Sequence, residues 1–275
     1  MRYFILGSGG RLGSQIYRAY FSMDIVSIPS KTYYSWSDPD NLKEITGYFK
    51  QHTNEKHAIL FIAGGLIDPG NPKLELEKAN YVLPKNILEA TEGLNLRIIT
   101  FGTIMEKYNV SNPYIDSKRC FLNYIEKQNY TGKRLIHIRL HTLYGIGMPS
   151  KFMFLGGIFH SLKYNLPFLM TNGEQFREYH HVLDDITAIN FLVQKKCDKP
   201  VVDLSHGKSV RLRDLASHLF SSFQKEHLLR IGELVNSKNE VYYKEQKSES
   251  LLSSSINFRD PLKGINKYLK ALLNG

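Results

Sequence analysis

Cysteine is scarce: Cys120 and Cys197 are the only two in 275 residues. That is too few for a disulfide framework, and they lack the close spacing of a zinc or thiol redox motif, so both are expected as buried thiols. Long apolar runs are missing as well. None approaches the roughly 18 residues of a membrane span, and "MRYFILGSGGRLG" reaches glycine after a short apolar run, so neither a membrane span nor a signal peptide is expected, and a cytoplasmic location is. Acidic residues are outnumbered, 26 against 36 Lys and Arg, for a net charge of +10. The basic residues are scattered and form no arm, which argues against nucleic acid and leaves smaller anions, phosphorylated cofactors among them, as what they attract. With 42% hydrophobic and 12% aromatic residues the composition is that of a globular protein, one large domain or two lobes.

Short runs rich in β-formers recur at residues 3–6, 25–28, 58–63, 96–101 and 135–140. Stretches with helical spacing lie between and after them, at about 11–22, 41–51, 73–92 and 113–130. Strand and helix in alternation imply a parallel sheet covered on both faces, an α/β doubly wound, Rossmann-like lobe. The alternation decays after about residue 145, which suggests a smaller substrate lobe at 146–180 and 205–275 beside a dinucleotide-binding lobe at 1–145. A helix-like stretch at 183–194 and the strand-like 201–204 are expected to return to the main sheet, so that 181–204 belongs with the first lobe. Polar, serine-rich 241–260 reads as a surface loop and 261–272 as a closing amphipathic helix.

Between the first strand and the first helix stands "ILGSGGRLGSQI". Its glycines fit G-x-x-G-x-x-G at Gly7, Gly10 and Gly13, because Leu12 occupies the place that the alternative spacing would need. A glycine turn from strand into helix brings backbone amides and the positive helix end to a pyrophosphate, which side chains would obstruct. An ordinary tight turn is the plainer alternative. NAD sites place an acidic residue after the second strand to bind the ribose hydroxyls. Here "DIVSIPSKTYY" offers Ser30 and Lys31, with Arg11 in the first turn, a set suited to a 2′-phosphate, so NADP(H) is preferred over NAD(H).

In "SNPYIDSKRCFLNYI", Tyr114 and Lys118 stand four apart and share one helix face. A neighbouring ammonium is expected to lower the phenol pKa toward working pH, which suits proton exchange with a carbonyl or alcohol. Thr103 ends the preceding strand, where a doubly wound sheet opens onto its ligand crevice.

Glycine turn, Thr103, Tyr114 and Lys118 in this order resemble the short-chain dehydrogenase/reductase superfamily, more closely its extended nucleotide-sugar branch. The resemblance implies Thr103, Tyr114 and Lys118 as the catalytic residues. It implies a cofactor site built from Gly7, Gly10, Arg11, Leu12, Gly13, Ser30, Lys31, Ala63, Gly64, Asn80, Tyr114, Lys118, His141 and Thr142, with Leu140 also beside the nicotinamide. "NGEQFREYHHVLDD" is similar to the branch's element in which an arginine, here Arg177, contacts the diphosphate of a sugar nucleotide; Thr103 would also touch that substrate. The eleven residues from Thr103 to Tyr114 make a shorter connection than the branch usually has. The dehydratases' acidic pair is replaced by Ile104 and Met105, and the cysteine of the epimerase-reductases by Met105. The expectation is an NADP-dependent reductase of a 4-keto-6-deoxy nucleotide sugar. The alternatives are a 4-epimerase with tightly held NAD and a non-catalytic dinucleotide-sensing regulator. The superfamily often pairs through helices flanking the triad, so a homodimer is compatible with the resemblance.

Three further groups carry less. His180 and His181 are adjacent, so in a strand they face opposite ways and cannot share an ion; no metal is expected. Asp184 and Asp185 stand at a helix start, where at least one is expected to cap. His141 is read as lining the cofactor cleft, with acid catalysis as the alternative, and the aromatic "YYSWS" as packing rather than as an adenine stack.

Overall fold

The computed structural model describes residues 1–53, 57–195, 197–235 and 256–274. The chain opens with β1 (Arg2–Leu6), α1 (Arg11–Ala19), β2 (Ile25–Ile28), a single turn α2 (Ser30–Tyr33), α3 (Leu42–Thr53) and β3 (Ala58–Ile62). α4 (Lys73–Glu77), a π-helical turn at Lys78–Val82 and α5 (Leu83–Ala90) run without a break. β4 (Leu96–Thr103), α6 (Pro113–Lys127), β5 (Leu135–Leu140) and β6 (Thr142–Tyr144) follow. Next come α7 (Phe154–Tyr164), β7 (Phe168–Met170), β8 (Phe176–Arg177), β9 (Tyr179–His181), α8 (Val182–Gln194) and β10 (Val201–Asp203). The last elements are β11 (Val210–Arg211), α9 (Leu212–Ser222), β12 (Leu229–Ile231) and α10 (Pro261–Asn274). Most of the stretch expected as a serine-rich loop, 241–255, lies outside the described residues; 256–260 carry no regular element.

Two compact units share the chain, Met1–Leu140 with Ile189–Asp203, and His141–Ala188 with Leu204–Gly275. The first is a doubly wound α/β unit. Its six strands lie in the order β10-β5-β4-β3-β1-β2, every pairing parallel. Alternate strand residues point to opposite faces, and both faces are covered, which is why these strands read as continuous apolar runs. Phe4, Leu6, Leu60, Ile62 and Ile98 pack with Ile45 and Phe49 of α3, Ile87 of α5, and Phe121 and Ile125 of α6. On the other face the Tyr20 ring, just past α1, meets Tyr3 at 4.7 Å and Phe61 at 5.0 Å between centroids. Every residue of β3 is buried.

β1 has β2 on one side and β3 on the other, so the chain changes direction across the sheet there. The C-terminal ends of β1 and β3 flank the switch point at which doubly wound sheets bind ligands. Trp36 belongs to the core, its ring 5.8 Å from that of Phe49 and its Nε1–H bonded to Glu44, so it is a packing residue and not an adenine platform.

The cysteines differ from expectation: Cys120 is exposed and Cys197 half-buried. The inward residues of α6 are Ile115, Phe121, Leu122 and Ile125, a stripe that leaves Cys120 outside. The second unit has short ladders, β6 with β9, β7 with β12 and β8 with β11. Its core joins Ile158 and Leu162 of α7, Leu215, Leu219 and Phe220 of α9, and Ile265 and Leu269 of α10, with Tyr144 and Tyr179. No described helix is long and apolar enough to cross a membrane.

Candidate active site

The glycine turn is shaped by close approach. Gly7 has φ +81°, and a Cβ there would overlap the Gly64 amide and stand 2.8 Å from the Ala63 carbonyl carbon. A Cβ at Gly13 would overlap the Gly7 carbonyl oxygen. The turn, the end of β3 and the first turn of α1 therefore interlock only without side chains at these two positions. Gly10 is the N-cap of α1; no side chain caps that helix and no acidic residue stands in its first turn, which spans Arg11, Leu12 and Gly13. Such a cradle fits a pyrophosphate, because first-turn amides and the helix dipole favour an anion. Tyr33 bonds the backbone of Gly7 and borders this turn. Ser30 and Lys31 begin α2, directly after β2, and both are exposed.

Across the sheet, β4 delivers Thr103 and α6 delivers Tyr114 and Lys118. Asn112 caps α6 by accepting the Ile115 amide at 2.9 Å, and Pro113 occupies its first turn. The helix start and its register fix where the pair faces. The Thr103 hydroxyl bonds Tyr114. That oxygen also accepts the Met105 amide at 3.3 Å, which leaves its proton and one lone pair for the site. Lys118 Nζ donates to the Phe101 carbonyl at 2.9 Å and lies beside Gly65, in a small recess also lined by Gly64, Asn80 and Phe121. Asn80 sits in the π-helical turn, its amide spanning the loop after β3: Nδ2 donates to the Leu66 carbonyl at 2.8 Å and to Ser117 Oγ at 3.0 Å, and Oδ1 accepts the Leu66 amide at 3.1 Å. It thus holds the segment from Ala63 to Leu66 in place.

The electrostatics correct one expectation. Burial first, and then the Glu106 carboxylate, push the Tyr114 phenol well above its ordinary value, opposed by the bond from Thr103. Desolvation penalises the phenolate more than the bond from Thr103 favours it. Lys118 is itself pushed down to about 8 by burial, while Glu106 favours its charged form. At neutral pH, then, Tyr114 carries its proton and Lys118 is mostly charged.

His141, Thr142 and Arg177 belong to the second unit. Arg177 closes β8, opposite Val210, with Nη1 donating to the Phe176 carbonyl at 2.7 Å. The neighbourhood of His141 is a buried polar cluster. His180 is paired on both ring nitrogens, Nδ1 with Asp185 at 2.7 Å and Nε2 with Glu178 at 3.0 Å. Glu178 also accepts the Ser205 hydroxyl at 2.6 Å and the His206 amide at 3.0 Å. Burial opposes the charge on His180, yet Asp185 and Glu178 outweigh it and hold the imidazole up at about 9. His141, Glu178 and His180 bring ligand atoms within 4.8 Å of one another. The His141 and His180 rings, however, are stacked at 23°, and in-plane lone pairs of near-parallel rings do not converge on one ion. Neither Asp184 nor Asp185 caps α8, which corrects that expectation. Asp184 pairs with Arg259, Asp185 with His180, and it is His181 Nδ1 that accepts the Leu183 amide, at 3.2 Å.

A family model described as the NAD dependent epimerase/dehydratase family matches residues 3–203. The chain belongs to that family. Its members are NAD(P)-dependent enzymes of the extended short-chain dehydrogenase/reductase type, and the doubly wound fold agrees. Among solved structures the chain is similar to UDP-glucuronic acid 4-epimerase from Bacillus cereus in complex with UDP-glucuronic acid and NAD, at 16% identity and TM-score 0.73 over 99% of this chain and 100% of that one. It is similar to dTDP-4-dehydrorhamnose reductase from Bacillus anthracis in complex with NADP, at 14% identity and TM-score 0.74 over 98% of each. A third is the Bordetella bronchiseptica enzyme WbmG in complex with NAD, at 14% identity and TM-score 0.74 over 99% of this chain and 95% of that one. No curated protein matches the sequence.

Within this family member, sequence reasoning overlooked Glu106 and His137 in the first unit and Glu178, Ser205 and His206 in the second. Glu106 had a signal: T-x-x-E directly after a strand is the capping-box spacing, and the box is formed. The others are brought together by the fold from distant segments, and no local pattern marks them.

Proposed function

We propose that the chain is an NADP-dependent reductase of a 4-keto-6-deoxy nucleotide sugar. The observation that carries this reading is the Thr103–Tyr114–Lys118 cluster, a phenol bonded to a hydroxyl with an amine one helical turn along. Such a phenol can give its proton to a carbonyl becoming an alcohol, and the lack of a carboxylate directly after β2 favours the NADPH of a reductase over the tightly held NAD of an epimerase. Bound dinucleotide would supply the hydride. Gly7, Gly10, Arg11, Leu12 and Gly13 would hold its pyrophosphate, and Ala63, Gly64 and Asn80 would border it, with Asn80 acting through the loop it clamps. His141 and Thr142 would line the nicotinamide. Tyr114 gives its proton to the carbonyl oxygen, Thr103 donates a second hydrogen bond to the same oxygen, and Lys118 binds the cofactor ribose. Arg177 would fork onto the diphosphate of the sugar nucleotide. Preference for the 2′-phosphate is supported by Ser30, Lys31 and Arg11, all exposed, where no carboxylate follows β2. Both UDP-sugar and dTDP-sugar enzymes occur among the similar structures, and the nucleotide-sugar class rests on that family membership.

The test is NADPH oxidation against a panel of 4-keto-6-deoxy nucleotide sugars. A 4-epimerase would instead purify with NAD bound and turn over without added coenzyme. Tyr114→Phe is expected to bind NADPH as wild type does and to lose on the order of 10²–10⁴-fold in kcat.

A further inference from the structure

Thr103 and Tyr114 stand at the two ends of one short connection. It opens with the turn Ile104–Lys107, and residues 108–112, between that turn and α6, form no regular element, so their backbone needs partners from elsewhere. The turn is held on the sheet. Glu106 accepts the Thr103 amide at 2.8 Å and meets His137 Nε2 at 3.1 Å, while Lys107 Nζ donates to Asp203 at 2.7 Å, which Arg139 also holds at 2.6 Å. The stretch that follows is tied to α6 by Arg119. This half-buried side chain donates from Nη2 to the Tyr108 carbonyl at 2.8 Å and the Val110 carbonyl at 2.6 Å, and from Nε to the Glu106 carbonyl at a long 3.4 Å. Its Nη1 pairs with Asp116 at 3.0 Å, and Asp116 accepts the Ser111 hydroxyl at 2.7 Å. A planar fork of five N–H donors can meet acceptors in these several directions, whereas the three donors of a lysine radiate from a single nitrogen.

We propose that Arg119 is a positioning residue of the catalytic centre: it fastens the connection that starts at Thr103 onto the helix that carries Tyr114 and Lys118, and so keeps the Thr103 hydroxyl on the Tyr114 phenol before any ligand binds. The inference rests on the reading of Thr103, Tyr114 and Lys118 as the reaction centre. Arg119 acts through the backbone. The Thr103 amide rides on the Glu106 side chain, Arg119 holds the Glu106 carbonyl and the two carbonyls beyond it, and Arg119 follows Lys118 directly on α6. Order set in advance is not lost again at the moment of reaction, whereas displacing a reacting group by about an ångström costs on the order of 10²-fold in rate.

The test is hydrogen exchange of the ligand-free protein read by peptide mass spectrometry, which needs no substrate. In Arg119→Ala the amides of 104–111 are expected to exchange about tenfold faster or more, the scale of one lost charge-assisted hydrogen bond, while β4, β5 and the glycine turn keep their wild-type rates. Arg119→Lys, which keeps the charge and reaches fewer carbonyls, falls between the two and serves if the Ala variant does not fold. With NADPH and a keto-sugar that turns over, kcat drops by on the order of 10²-fold in Arg119→Ala and by less in Arg119→Lys, while the KM for NADPH holds. An arginine that only stabilised the fold would lower the melting temperature without that split. Unchanged exchange at 104–111 in a folded Arg119 variant overturns the proposal, and so does faster exchange there with wild-type kcat. Faster exchange there together with no keto-sugar reduction by wild type supports the tie from Arg119 to the connection and rejects the reductase reading instead.

Discussion

Gly13 and Gly9 stand four residues apart in the same turn and demand opposite things. A Cβ at Gly13 would overlap the Gly7 carbonyl, a backbone atom that cannot rotate away; a Cβ at Gly9 would meet nothing within 4 Å. Gly13→Ala is expected to cost about 1–3 kcal/mol, as overpacking does, and to weaken NADPH binding. Gly9→Ala should leave both near wild type. Thermal melting and a fluorescence titration with NADPH read the contrast, and equal behaviour of the two variants would remove the close-packed turn from the account. At the same scale the sequence shows its limits. Tyr114 and Lys118 are legible from their spacing, but the direction of the Tyr114 shift is not, because it depends on burial and on Glu106, whose position is fixed by His137 from β5.

At the scale of elements, the strands are legible because a parallel sheet buries both faces and leaves continuous apolar runs. The expected 25–28 and 135–140 coincide with β2 and β5. The single helix expected at 73–92 is instead α4, a π-helical turn and α5, and that turn is where Asn80 reaches the loop after β3. In the histidine cluster of the second unit His180 and Asp185 stand out in the sequence, but their pairing does not, since the fold ties β9, the first turn of α8 and Ser205–His206 together. Its charges set a pH dependence. His180 rises from 6.5 to about 9 on folding, so its contribution is complete below pH 6.5 and is lost as pH rises through about 9. Burial raises the Glu178 pKa, but His180, His141 and Ser205 outweigh it and bring the carboxyl down from 4.5 to about 2. That contribution is complete above pH 4.5 and is lost as pH falls through about 2. Asp185, raised by burial against the pull of His180, offsets part of the gain. His180→Ala strands two buried carboxylates and is expected to cost roughly 3–5 kcal/mol. Melting temperatures from pH 6.5 to 9 should fall more steeply for wild type than for His180→Gln; parallel curves would show that His180 is not the imidazolium described.

Over the whole molecule, family, fold and cofactor class agree, and coenzyme choice separates the remaining readings. Ser30 and Lys31 at the start of α2, with Arg11 in the first turn of α1, predict that Lys31→Ala raises KM for NADPH and leaves KM for NADH nearly unchanged. Equal effects on both coenzymes would remove Lys31 from the 2′-phosphate site. The broad architecture was legible because periodicity and glycine placement are local properties, whereas Arg177, the proposed diphosphate contact, stands in one of the short, irregular ladders of the second unit, which leave no such pattern. The central claim is a hydride delivered to a sugar ketone with the proton supplied by Tyr114. It is tested most directly with NADPH deuterated at its transferable position and a 4-keto-6-deoxy nucleotide sugar, the product being read by mass spectrometry. Deuterium bound to carbon 4 of the sugar with wild type, and its near absence with Tyr114→Phe, is the predicted result; an unlabelled product from an active wild-type enzyme would contradict the account.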